Sequence, residues 1–123
     1  MSKSDTPSVI IPPLAGGEIY AGVVVVTGAP LHHLILLPGE TRANWKDALA
    51  WAKKKNAELP TRVEQALLFA NAADQFEKDW YWSAEPYAGD ASYAWYQNLF
   101  RGYQYYDLQT AELHARAVRR VAI

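Results

Sequence analysis

Three histidines, one serine set among aromatic residues and a few carboxylates are the side chains of this sequence with the types for acid–base, nucleophilic or metal chemistry. His32 and His33 are neighbours in a segment that reads as a strand, so they face opposite sides and cannot ligate one metal together from it. His114 stands far from both. Ser83 sits in no Gly-x-Ser-x-Gly elbow and has no base at motif distance. Glu64, Glu85 and Asp90 could act as acid and base only if folding set their separation, which spacing does not show. The 123 residues include no cysteine, which removes disulfides, thiolate nucleophiles and cysteine-bound metals together. The expectation is a protein that is not an enzyme, with no cofactor and no metal.

Recognition is the other chemistry on offer. Eleven of the sixteen aromatic residues fall between Trp80 and Tyr106. Rings this dense fill a core or form a rigid amphipathic contact surface. Strand alternation divides them: with Trp95 inward, Tyr93 also faces in, while Tyr96 and Asn98 face out. Tyr103 and Tyr105 then share one face of the next strand, and Gln104 and Tyr106 share the other. Trp82, Tyr93 and Trp95 read as core. Tyr87, Tyr96, Asn98, Arg101, Gln104 and Tyr106 form the expected contact set, because Tyr, Asn and Arg recur on recognition surfaces.

These residues need a frame. Val9 to Leu14 carries two prolines and reads as an extended arm, and Gly16-Gly17 marks a turn. Glu18–Thr27 and His32–Leu37 read as a β-hairpin broken at Gly28-Ala29-Pro30, with Val23 to Val26 expected to be buried on both faces. Trp45, Ala48, Leu49 and Ala52 give the clearest helix, with Asn44 or Thr41 as cap, Lys53 to Lys55 in the last turn and Asn56 at the stop. Thr61 and Glu64 form a capping box for a second helix whose buried face is expected at Val63, Ala66, Leu67 and Ala70. A polar connector with one extra turn packed through Phe76 leads on. Strands follow at Trp80–Ala84, Tyr93–Leu99, Tyr103–Leu108 and Arg116–Val121, with Gly102 in the hairpin turn. The order predicts an α+β fold with two helices packed on a twisted antiparallel sheet.

Residues 1–8 read as a disordered or extended tail and residues 9–123 as one domain, a common domain size. Basic and acidic residues nearly cancel at a net charge of −1, so no broad field favours nucleic acid or an anionic membrane. The start of the chain lacks the basic-then-apolar pattern of a secretory signal, which points to synthesis in the cytoplasm. Glycine, proline and two histidines interrupt the apolar run Tyr20 to Leu37, which argues against a membrane span.

The series Trp45-x-x-Ala48, Leu59-Pro60-Thr61-Arg62-x-Glu64, Tyr81-Trp82-Ser83, Ala94-Trp95, Phe100-Arg101-Gly102 and Arg116-Ala117-Val118-Arg119 resembles the C-type-lectin-like domains related to the C-terminal domain of the Legionella collagen-like protein. That group includes many phage and bacterial proteins. The series is also similar to the lectin-fold domains of phage tropism determinants. The resemblance covers roughly Gly17 to Val121 and implies a C-type-lectin-like fold used for binding. Calcium-dependent sugar binding in the resembling lectins uses a Glu-Pro-Asn triplet and a later Trp-Asn-Asp. Here Glu85-Pro86 is followed by Tyr87, no Trp-Asn-Asp occurs, and only Glu85 and Asp90 stand near, too few oxygens for calcium. Formylglycine-generating relatives of the fold rely on cysteine, which this sequence lacks.

The expected function is therefore a non-catalytic binding module of phage or prophage type that recognises a protein or glycan through its C-terminal strands and loops. The alternative is a cytosolic phage accessory protein that inhibits or sequesters a host factor. So little precedes Val9 that a stand-alone protein is favoured over a shaft-borne one, with the apolar arm as a route to homo-oligomers.

Overall fold

A computed structural model describes residues 10–123 and has an α+β architecture. Its elements run β1 (Ile19–Val24), β2 (His32–Leu36), β3 (Thr41–Ala43), α1 (Trp45–Lys54), α2 (Arg62–Ala72), β4 (Trp80–Pro86), β5 (Tyr93–Asn98), β6 (Gln104–Leu108), β7 (Leu113–Ala115) and β8 (Val118–Ala122). The expected tail, and Val9 at the head of the arm, lie outside the described residues.

The strands form two sheets, which corrects the expectation of a single antiparallel one. β1-β2-β8 is antiparallel throughout, whereas β3-β7-β4-β5-β6 contains one parallel contact, Tyr81 of β4 with His114 of β7. β3 and β7 account for the difference. Each has three residues, too few for alternation to register, and β7 falls where a connector was expected.

The first hairpin forms as expected, with a bulge between Tyr20 and Gly22. Its strand ends at Val24, and Val25 and Val26 are exposed rather than buried on both faces. In α1 the Asn44 side chain accepts from the Asp47 N–H at 2.9 Å. Ala48 and Ala52 are fully buried, and these small side chains leave room beneath the helix for Trp82 and Tyr96. The three lysines at its end are exposed, and Asn56 takes the left-handed stop at φ 54°.

The capping box of α2 is complete: Glu64 N–H donates to Thr61 Oγ1, and Thr61 N–H donates to Glu64 Oε1. Its buried face is not the expected one. Glu64, Gln65, Leu68 and Ala72 are buried, while Val63, Ala66 and Ala70 are exposed. Polar partners decide the phase: Gln65 Nε2 donates to the Tyr81 and Trp82 carbonyls, and Glu64 meets Arg120, so two polar residues point inward, with Gln65 Oε1 left unpartnered. A 3-10 turn at Ala73–Gln75 follows, and Phe76 packs onto the core as expected.

Two buried clusters result. One joins Trp82, Ala94 and Tyr96 to Ala48, Ala52 and Leu59; the other joins Leu34, Leu36 and Val118 to Leu68.

Candidate functional site

The site is built on β4, β5 and β6, the last being the outer strand of the five-stranded sheet. The register sets Trp95 opposite Tyr106, Tyr96 opposite Tyr105 and Gln97 opposite Gln104. Odd-numbered residues of β5 therefore face Arg62 at the start of α2, and even-numbered ones face α1. Tyr96 is only 4% exposed and Asn98 only 5%, whereas Tyr93 and Trp95 are half-buried. The expectation that Tyr96 and Asn98 face out while Tyr93 and Trp95 face in is thus reversed. Alternation fixes the two sets but not which one is inside, and both sets here carry aromatic rings. The narrow Ala48–Ala52 stripe of α1 accepts the large rings of the even set.

Asn98 has a structural task. Its Oδ1 accepts from the Phe100 and Arg101 N–H groups at 2.8 Å each and holds the β5–β6 turn. Gly102 completes that turn at φ +86°, a conformation costly for other residues, and its Cα faces the Phe69 ring so closely that a Cβ would lie 2.6 Å from it. Arg101 is exposed in the turn, its guanidinium 5.1 Å from the Phe100 ring. It stands at one end of the hairpin, while Tyr87 packs by the Tyr93 and Tyr106 end.

Tyr87, Gln104 and Tyr106 do come together. The Tyr87 and Tyr106 rings stack at 4.0 Å, and both meet Trp95 edge-on at 5.5 and 5.4 Å. Tyr105 stacks on Tyr106 at 4.5 Å. These two leave opposite faces of β6, so their rings meet around the free edge of the strand. From Tyr105 the chain of rings continues to Tyr96 at 6.5 Å and on to Trp80, stacked on Tyr96 at 4.9 Å. A belt of aromatic rings thus wraps the sheet edge, with Tyr105 52% and Trp80 37% exposed. The Tyr106 phenol is pushed up to about 12, first by its hydrogen bond to Tyr87 and then by that to Tyr105.

Arg62 closes the belt. Its guanidinium lies 3.6 Å from the centre of the Trp95 ring, and its Nε donates to Gln104 Oε1 at 3.0 Å. Gln104 Nε2 donates back to the Arg62 carbonyl at 2.7 Å and to Gln97 Oε1 at 3.0 Å. Arg62, Trp95 and Tyr105 are the contact residues that sequence reasoning missed. The capping box placed Arg62 at a helix start, but no local signal brings that start against β5 and β6.

The residues considered for catalysis lie elsewhere and apart. His32 Nε2 meets Glu64 Oε2 at 2.7 Å, while His33 Nδ1 pairs with the Tyr20 hydroxyl at 2.8 Å, on opposite sides as their spacing requires. His114 lies between two carboxylates, Nδ1 to Glu40 at 2.7 Å and Nε2 to Asp79 at 3.1 Å. Opposed ring nitrogens cannot share one ion. The buried Ser83 hydroxyl accepts from the Glu85 N–H at 3.0 Å and touches no base. Glu85 accepts from the Arg62 N–H and Asp90 from the Ser92 N–H. Among the described residues no group of three His, Asp or Glu side chains is arranged to hold a metal, and no helix is long and apolar enough to cross a membrane. Compared with models of known families and with curated proteins, the chain matches none.

Proposed function

We propose that this chain is a non-catalytic binding module with a C-type-lectin-like fold, of the phage or prophage type its motifs resemble. Its contact surface is the aromatic belt at the β6 edge, and its partner is a glycan or a protein. The observation that carries the reading is the belt itself: rings held in fixed orientation by one another, yet left half-buried or exposed at a sheet margin. Such rings lose little conformational freedom when a partner arrives. The placement of the motif residues supports the fold: Thr61 and Glu64 cap α2, Trp82 lies in the core, and Gly102 turns the β5–β6 hairpin.

The contact set is revised accordingly. Tyr87, Gln104 and Tyr106 stay in it and Arg62, Trp95 and Tyr105 join them; Tyr96 and Asn98 leave, because their substitution would disturb the core and the turn, and Arg101 leaves because it stands at the far end of the hairpin. A glycan array and capture from a host lysate test the assignment. Binding to either target should be lost in Tyr105→Ala with Tyr106→Ala while folding is retained; unchanged binding to every target rejects the surface. A single host protein captured in stoichiometric amount with no glycan bound would select the sequestering role.

A further inference from the structure

One residue of the belt narrows the ligand, and the inference rests on reading that belt as a contact surface. Arg62 is held in place from several sides. Trp95 lies under its guanidinium, Gln104 takes its Nε–H, Glu85 takes its backbone N–H at 2.7 Å, and its carbonyl accepts from Gln104. The plane and direction of the fork are therefore set before anything binds.

Its charge is unspent. Arg119 pairs with Glu18, and Arg120 with Glu58 and Glu64; Arg116 donates to the Gln75 and Leu37 carbonyls. Arg62 has no carboxylate at ion-pair distance among the described residues, and its two terminal nitrogens donate to none of them. Among the described residues the buried side-chain polar atoms without a partner are Gln65 Oε1 and Arg116 Nε, so those terminal nitrogens are open to solvent. An immobilised, unpaired guanidinium edge is the geometry that takes a carboxylate through two parallel hydrogen bonds. The Glu85 carboxylate at the Arg62 amide disfavours a doubly charged phosphate at the same place. Beside the fork stand the stacked Tyr87 and Tyr106 rings with their phenol hydroxyls. They offer a flat apolar surface next to groups that both donate and accept, which suits a hydroxylated ring.

We propose that Arg62 reads a carboxylate on an acidic sugar of the uronic acid class, with the sugar ring set against Tyr87 and Tyr106. Methyl β-glucuronide and methyl β-glucoside differ at that carboxylate alone, so they are the probes. In titrations followed by NMR at the Trp95 indole and Arg62 Nε–H signals, the glucuronide is expected to bind more tightly by about tenfold or more. Arg62→Met should abolish the difference, and Arg62→Lys, charged but unable to fork, should restore only part of it. Equal binding of the two sugars at Trp95 overturns the carboxylate role while leaving the contact surface standing, as does a difference that survives in Arg62→Met. A glutamate-rich peptide that shifts the same signals when the glucuronide does not would overturn the sugar assignment in favour of an acidic protein. Silence of all three probes at Trp95 overturns the subsite; the contact surface itself then stands or falls on the array and capture results.

Discussion

Tyrosine chemistry distinguishes three phenols of this chain. Burial, and then the neighbouring Tyr103, push Tyr96 up to about 12; Tyr106 reaches the same value through hydrogen bonds to Tyr87 and Tyr105. Tyr81 is pushed higher still, first by burial and then by its hydrogen bond to Glu40. A phenol raised in the folded chain adds stability that is complete below the ordinary tyrosine range near ~10 and fades as pH climbs through the folded value. Spectrophotometric titration at alkaline pH should show these three ionising above the ordinary tyrosine range, with loss of structure beginning between that range and their folded values. Tyr87→Phe should bring Tyr106 back toward the ordinary range and leave Tyr81 in place. An unchanged titration would mean that the hydroxyl pair does not hold the proton. Residue type was legible in the sequence here: Tyr87, Gln104 and Tyr106 all belong to the candidate site. The side each ring faces was not, because Trp95 and Tyr96 alternate with equal hydrophobic weight and only the small stripe of α1 decides between them.

At the scale of the element, α2 depends on a residue that is both cap and ion-pair partner. Glu64 is 1% exposed, and burial alone would raise its carboxyl; donation from Arg120, the Thr61 amide and His32 holds it below its ordinary range instead. The stability it supplies is thus present above the ordinary carboxylate range and lost as pH falls through its lowered folded value. Glu64→Ala leaves Arg120 with only the exposed Glu58 and opens the cap, and should cost about 3 kcal/mol in denaturant unfolding at neutral pH. A cost under about 1 kcal/mol would reduce the cluster to a surface pair. The β5–β6 turn has its own test. Gly28 and Gly102 share positive φ, but a Cβ at Gly28 meets nothing within 4 Å, whereas one at Gly102 meets Phe69. Gly28→Ala should cost about 1 kcal/mol, and Gly102→Ala clearly more. Both helices, their caps and the hairpin turn could be read from sequence, since each rests on local chemistry. The buried face of α2 could not, because Glu64 and Gln65 turn inward toward partners from Arg120 and β4, distant in sequence.

Across the whole molecule, β2 is the middle strand of its sheet, with Leu34, Ile35 and Leu36 wholly buried between β1 and β8. Their amides should be among the slowest to exchange with deuterated water, and those of the outer strand β6 among the faster ones in the sheets. Comparable protection in β6 would indicate that its free edge is covered, as by a second copy of the chain. The pairing of β2 with β8 and of β3 with β7 also sets the order of events during folding. Side-chain hydrogen bonds that fasten these regions join residues 101 apart, Glu18 to Arg119, and 74 apart, Glu40 to His114. Neither sheet can be completed until residues 113–122 are available. A chain emerging from the ribosome therefore holds β1 and β2 as a lone hairpin, marginal in water, until residues 113–122 have been made. Once its own residues are made, the aromatic belt lies exposed for the rest of that interval. Collapse around it, before the last two strands arrive, is the hazard this topology carries at synthesis.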